Sequence, residues 1–90
     1  MLTPIRTNAF KREFKNMLKR GKDETKFHKV ALLLMNEMPL GPEHQDHKLS
    51  GSYVGRRECH LEPDWLLIYE ITGNEIIFER TGTHSDLFKK

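Results

Sequence analysis

Phe10, Phe14, Met17 and Leu18 recur at i, i+4, i+7 and i+8, the spacing of one apolar stripe on an α-helix. The spacing predicts a first helix over about residues 8–20. Thr7 or Asn8 offers an N-cap oxygen, Lys19 and Arg20 suit the negative helix end, and Gly21 can take the left-handed conformation just beyond it. Phe27, Val30, Ala31, Leu34 and Met38 form a second stripe, with Asp23 as N-cap, Glu24 in the first turn and Pro39 forbidding continuation. Only Gly21 and Lys22 separate the two, so the helices form an antiparallel hairpin that presents both stripes to one surface. Ahead of them, residues 2–6 can supply a short strand.

Residues 39–55 contain Pro39, Gly41, Pro42, Gly51 and Gly55 among polar neighbours and read mainly as a loop. Three strand candidates follow, Arg56–Leu61, Trp65–Ile71 and Glu75–Thr81, rich in β-branched and aromatic residues. Glu62-Pro63-Asp64 makes the first turn, and Gly73-Asn74 makes a two-residue hairpin connection, so the three pair as a meander. The expected fold is α+β: an N-terminal strand, and an antiparallel helix hairpin packed on one face of an antiparallel β-sheet whose other face stays open for a ligand. Ninety residues make this one domain over 1–90, without internal repeats.

Composition adds two restrictions and one question. With 37% hydrophobic and 31% charged residues the chain can fold and is no disordered segment. No apolar run is long enough to cross a bilayer and residues 1–6 lack the apolar core of a secretory signal, so a soluble protein with no membrane partner is expected. The single cysteine, Cys59, cannot form an internal disulfide, which agrees with a cytoplasmic location. The net charge of +2 is uneven: residues 1–30 hold nine Lys/Arg against three Asp/Glu, and residues 31–90 hold six against ten. A basic surface of this kind is either a footprint for nucleic acid or a solvated helix face, and charge alone does not choose.

Five histidines are available for proton transfer near neutral pH. His28 lies inside the second helix and receives no role, while His44 lies among polar loop residues, where solvation is the default. His44, His47, Cys59 and His60 could in number bind zinc, but adjacent strand residues such as Cys59 and His60 point to opposite faces, and there is no Cys-x-x-Cys partner. No metal site is therefore expected. The run Phe78-Glu79-Arg80-Thr81-Gly82-Thr83-His84-Ser85-Asp86-Leu87-Phe88 ends an apolar strand in a small-residue turn. Its guanidinium and imidazole, four residues apart, suit a phosphate clamp beside a proton donor, and equally a structural surface turn.

Three segments carry a resemblance across nearly the whole chain: Asp46-His47-Lys48-Leu49-Ser50-Gly51-Ser52-Tyr53, Arg57-Glu58-Cys59-His60-Leu61-Glu62-Pro63-Asp64-Trp65-Leu66-Leu67-Ile68-Tyr69, and Phe78-Glu79-Arg80-Thr81-Gly82-Thr83-His84. Together with the two helices they resemble the YafQ-type toxins of the RelE/ParE superfamily, and so imply a RelE-like, microbial-ribonuclease-like fold. Carried over position by position, the resemblance places His47, His60, Asp64, Arg80, His84 and Phe88 at the active site. Glu58 falls where YafQ-type proteins can carry an aspartate one methylene shorter. From the residues alone, Asp64 also suits a turn after Pro63, and Phe88 suits packing of the last residues onto the sheet.

The resemblance implies metal-independent cleavage of messenger RNA on the ribosome, without a cofactor, in which the ribose 2′-hydroxyl attacks phosphorus and the 5′-oxygen leaves. His84 would protonate the leaving oxygen and Arg80 would stabilise the transition-state charge; the base could be His60, His47 or a nearby carboxylate. Lys11, Arg12, Lys15, Lys19, Arg20, Lys22 and Lys26 become candidates for contacts to the RNA backbone. The implied protein partner is a DinJ-like antitoxin that would bring the toxin to DNA only indirectly. Two other outcomes stay open at the level of fold: a ParE-like, gyrase-directed toxin, and a non-catalytic nucleic-acid-binding or antitoxin-docking module.

Overall fold

The structure is a computed structural model that describes residues 1–88. Strand β1 (Thr3–Arg6) leads into helices α1 (Asn8–Lys19) and α2 (Glu24–Met35); β2 (His47–Lys48), β3 (Arg57–Glu62), β4 (Trp65–Thr72), β5 (Glu75–Gly82) and the one-turn helix α3 (His84–Leu87) follow. Thr7 caps α1, accepting from the Phe10 N–H, and Asp23 caps α2, accepting from the Thr25 N–H. Both helices end the same way. At α1 the N–H groups of Gly21 and Lys22 return to the carbonyls of Leu18 and Met17, with Gly21 at φ 96°. At α2 those of Glu37 and Met38 return to Leu34 and Leu33, with Glu37 at φ 56°. The second helix therefore stops three residues before Met38, the last member of the expected stripe, and Met38 is exposed rather than packed.

The sheet order is β1-β5-β4-β3-β2. β3, β4 and β5 form the expected antiparallel meander, but β1 runs parallel to β5, from Thr3 opposite Glu75 to Arg6 opposite Phe78. The loop of residues 39–55 also departs from expectation: it contains β2, paired with β3, and two 3-10 turns at Pro42–His44 and Gly51–Tyr53. One face of the sheet (Cys59, Leu61, Trp65, Leu67, Tyr69, Ile76, Phe78) packs on the hairpin through Phe10, Phe14, Met17, Phe27, Val30, Ala31 and Leu34. Phe27 touches Phe10, Phe14 and Phe78 at ring-centroid distances of 5.4, 4.9 and 5.3 Å. Replacing Phe27 with alanine would cost about 3–5 kcal/mol, a large share of the ~5–15 kcal/mol that holds such a domain together. The hairpin is thus a rigid backing for whatever stands on the other face.

That other face is not open, contrary to expectation. Leu66 and Ile68 are fully buried there under Leu87 of α3, with Leu49 and Tyr53 of the loop packed beside them. An apolar strip this narrow leaves polar positions on both sides of it.

Candidate active site

Register decides which side chains share the second face. Ile68 lies opposite Glu58 on one side and Arg80 on the other, and Leu66 lies opposite His60 and Gly82 in the next row. Residues directly opposite in a sheet point to the same face, so Glu58 and His60 flank the apolar strip on the β3 side and Arg80 on the β5 side. Arg80 reaches that face only because of a β-bulge. Ile68 pairs with Arg80 but Tyr69 pairs with Phe78, so Glu79 is an extra residue, and the alternation that would turn Phe78 and Arg80 the same way is broken.

The turn after β5 then sets His84. A Cβ on Gly82 would come within 2.9 Å of the Asp86 Cβ, so the close turn excludes a side chain there. Thr83 caps α3, accepting from the Asp86 N–H while its own N–H donates to Asp86. Leu87 plugs into the apolar strip, and His84 is left exposed at the first helical position. Asp64, in the β3–β4 turn, accepts from the His84 backbone N–H at 2.9 Å and from its Nδ1 at 2.7 Å. Those two bonds, the backbone one first, hold the Asp64 carboxyl below its ordinary range. In the core beneath, the Trp65 Nε1–H donates to Thr81 Oγ1, which donates to the Leu66 carbonyl. The Glu-Pro-Asp-Trp and Arg-Thr-Gly-Thr-His segments thus meet twice, once in the core and once at the surface.

Three histidines of the site share an arrangement that His44 also shows. Nδ1 of His47 donates to the Gln45 carbonyl at 2.6 Å, Nδ1 of His60 to the Pro63 carbonyl at 3.2 Å, and Nδ1 of His84 to the Asp64 carboxylate. Carbonyl and carboxylate oxygens only accept, so each Nδ1 carries the proton and each Nε2 is left for other work. Nε2 of His47 and of His60 lie 3.4 and 3.8 Å from Oε1 of Glu58. Glu58 is buried, and its Oε2 has no hydrogen-bond partner among the described residues. The rings of His60 and His84 meet edge to face at 5.6 Å. Glu58, His47, His60, His84 and Asp64 therefore form one continuous group.

Arg80 and Phe88 belong to a second group across the strip. Arg80 Nη1 donates to the Tyr53 hydroxyl at 3.1 Å, the Tyr53 ring meets Phe88 edge to face at 6.0 Å, and Glu13 of α1 pairs with the Nε and Nη2 edge of the guanidinium. That pairing raises the Arg80 pKa further and leaves the clamp expected from sequence partly occupied. Tyr53 and Glu13 were not singled out by sequence reasoning. Tyr53 lies inside a recognised segment, and Glu13 is the one acid on α1, where four Lys/Arg surround it.

The basic candidates divide. Arg20 pairs with Asp86, and Lys22 and Lys26 both pair with Glu62, which they hold below the ordinary carboxylate range. Lys11, Arg12, Lys15 and Lys19 are exposed, and helical geometry turns them away from the Phe10, Phe14 and Met17 stripe. His44 is half-buried rather than solvated: its Nδ1 donates to the His60 carbonyl at 2.6 Å and braces β3. Asp46 accepts from the Tyr69 hydroxyl at 2.6 Å and from Arg57 at 3.3 Å, which fixes the loop just before His47. Cys59 faces the helices, away from His60, and burial pushes its thiol pKa up. Among the described residues no three His, Cys, Asp or Glu side chains take up metal-holding geometry; His47, Glu58 and His60 are the nearest approach.

The same fold and residue order occur in known proteins. Residues 2–89 match the family described as the bacterial toxin of type II toxin–antitoxin system, YafQ. The chain is 45% identical over 83 residues to the mRNA interferase toxin YafQ of Escherichia coli strain K12, which covers 91% of this chain and 90% of that one. The crystal structure of the E. coli DinJ–YafQ complex superposes with a TM-score of 0.90 at 40% identity, over 98% of this chain and 99% of that one. A copper-bound mutant toxin from Helicobacter pylori superposes with a TM-score of 0.94 at 39% identity, over 98% and 100% of the two chains. Likeness of this extent, spanning both groups of site residues and the hairpin behind them, makes the chain a member of the YafQ family of bacterial type II toxin–antitoxin toxins.

Proposed function

We propose that this chain is an endoribonuclease that cuts messenger RNA on the ribosome by acid–base chemistry needing no metal ion. The observation that carries the reading is the set of three histidines whose Nδ1 protons are tied to fixed acceptors, which leaves the Nε2 atoms of His47 and His60 at 3.4 and 3.8 Å from a buried carboxylate and that of His84 on an exposed ring beside them. Cleavage with the 2′-hydroxyl as nucleophile needs a proton acceptor, a proton donor to the 5′-oxygen and a counter-charge for the phosphorane. The His47–Glu58–His60 group supplies the acceptor. His84, exposed and oriented by Asp64, supplies the donor as an imidazolium, giving its Nε2 proton to the 5′-oxygen while Nδ1–H stays bonded to Asp64, and Arg80 supplies the counter-charge. Phe88 and Tyr53 offer aromatic surface to a base beside the cleaved bond.

The E. coli relative is an mRNA interferase, which supports the reaction, and the DinJ–YafQ complex supports a DinJ-like antitoxin as protein partner. Reading the cytoplasm as the site of action follows from the ribosome as platform; among the described residues no helix is long and apolar enough to cross a membrane. The outward-facing Lys11, Arg12, Lys15 and Lys19 are the ribosomal RNA contacts in this reading, and Arg20, Lys22 and Lys26 act mainly within the protein. Crystal structures from Helicobacter pylori include a copper-bound mutant toxin and a metal-bound toxin. Among the described residues no three ligating side chains converge, and the proposed reaction gives His47, Glu58 and His60 proton-transfer roles instead.

The test is incubation with translating ribosomes, followed by mapping of message ends. New internal ends are expected, and they should persist when zinc and copper are chelated with ribosomal magnesium left in place. Growth inhibition without new ends would point instead to a gyrase-directed toxin of the same superfamily. Cleavage lost on chelation and restored by one of those ions would return His47, Glu58 and His60 to consideration as metal ligands.

A further inference from the structure

A guanidinium carries five N–H donors in one plane, grouped as an edge, formed by Nε and one side of Nη2, and an end, formed by Nη1 and Nη2. In Arg80 the edge is taken by Glu13: Nε donates to its two oxygens at 3.0 and 2.8 Å, and Nη2 donates to Oε2. Nη1 directs one N–H to Tyr53. One N–H on each Nη remains to donate to phosphate oxygens.

Glu13 is itself held in place. β1 pairs with β5 only as far as Phe78, and beyond that point α1 replaces it: Thr7 Oγ1 donates to the Glu79 carbonyl at 2.8 Å, and the Thr81 N–H donates to Glu13 Oε1 at 3.2 Å. The same carboxylate thus fixes the backbone one residue from Arg80 and the guanidinium plane itself. Both Glu13 and Arg80 are partly buried, with side-chain exposures of 24% and 31%, so the pair is sheltered but stays within reach of a ligand.

We propose that Glu13 is a positioning residue for RNA cleavage, holding the edge of the Arg80 guanidinium so that its remaining N–H groups face the scissile phosphate. The proposal rests on the reading that Arg80 stabilises the transition state. It differs from a plain surface ion pair, whose loss leaves chemistry unchanged. It differs also from a competing role, in which Glu13 occupies Arg80 until RNA displaces it and its removal speeds the reaction.

The experiment is single-turnover cleavage of message on programmed ribosomes, with rate at saturation and half-saturating ribosome concentration measured for Glu13→Ala, Glu13→Gln, Arg80→Ala and the double variant Glu13→Ala/Arg80→Ala. Loss of a direct charge-stabilising donor costs roughly a hundredfold or more, so loss of its orienting partner should cost less, about tenfold. Glu13→Ala should lower the saturated rate about tenfold without moving the half-saturating concentration. Glu13→Gln, which keeps one accepting oxygen, should fall between it and the parent. The double variant should be no slower than Arg80→Ala, because a residue that acts through Arg80 has nothing to orient once Arg80 is gone. Glu13 variants at the parent rate or faster, or losses that multiply in the double variant, overturn the proposal. Full activity in Arg80→Ala would overturn the reading of Arg80 beneath it, a distinct result. Should Glu13→Ala not fold, as judged by thermal unfolding, Glu13→Gln decides the question in the same way, since its amide oxygen can still accept from the Thr81 N–H.

Discussion

Asp64 and Glu58 are both carboxylates beside histidine, and they stand in opposite conditions. Asp64 is exposed, makes short bonds to two N–H groups of His84, and keeps its charge easily. Glu58 is buried, lies 3.4 and 3.8 Å from two imidazoles, and has one oxygen with no hydrogen-bond partner among the described residues. An exposed pair of this kind orients a group at little cost to the fold. A buried carboxylate left short of partners costs stability, and persists where the fold is constrained by something other than its own stability. On this contrast, the proposed reaction gives Asp64 an orienting role and Glu58 a reactive one.

Removing the group that Asp64 orients should have the largest effect. His84→Ala should slow the chemical step by on the order of a hundredfold or more while ribosome binding stays nearly constant. A message with sulfur in place of the bridging 5′-oxygen, whose leaving group needs little protonation, should rescue this variant more than the parent. Parent-like cleavage, or no selective rescue, would remove His84 from the role of general acid and leave Asp64 with nothing catalytic to orient.

Glu58→Met should have the next largest effect, and the opposite sign in stability. Replacing a buried charged group with an apolar one of similar size is often neutral or stabilising by about 1–4 kcal/mol. We expect thermal unfolding at an unchanged or higher temperature together with an activity loss of roughly tenfold or more. A destabilised variant that kept its activity would make Glu58 a structural residue.

Asp64→Asn should cost less, about fivefold, because its amide oxygen can still accept from the His84 N–H. The Asp64 pKa lies below the ordinary 3.8, so its contribution to folding is fully present above that value and is lost as pH falls through the lower folded-state value. Carbon NMR of the carboxyl group should show that lower midpoint; a midpoint at or above 3.8 would contradict the anchor. The smallest effects belong to the helices. Lys15→Glu and Lys19→Glu should weaken ribosome binding and each lower its salt slope by about one, whereas Lys22→Glu, whose lysine is already paired with Glu62, should change the slope less. Equal slopes for all three would return the outer face of α1 to plain solvation.

The parts of this molecule that local chemistry controls were readable from the chain. Gly21 announced the end of α1 because a left-handed residue is cheapest as glycine, while Glu37 takes the same position at the end of α2 with nothing in its identity to mark it. The meander followed from alternation and turns. Strand β2 is only two residues long, too short for any period to show, and the parallel partner of β1 lies at the far end of the sequence. At the site, the recognised segments named His47, His60, Asp64 and His84, and the structure brings these together. Arg80 was named as well, but not its face: alternation assigns Phe78 and Arg80 to one side, and the bulge at Glu79, invisible in sequence, separates them. The covering of the second face by Leu87, Leu49 and Tyr53, and the reach of Glu13 to Arg80, are contacts between distant segments that no local pattern encodes.

The parallel pairing of β1 with β5 also bears on how the chain folds. Thr7 binds the Glu79 carbonyl across 72 residues, and Glu13 binds Arg80 across 67, so the bonds that frame the β5 side close nearly the longest loops available. The entropy of loop closure opposes such contacts until they form, which places a domain of this topology among the slower folders of its size. The helix hairpin can form early from neighbouring residues, whereas Arg80 meets Glu13 only when β5 docks beside β1. Until β5 docks beside β1, the Arg80–Glu13 pair and the frame around the second face cannot exist.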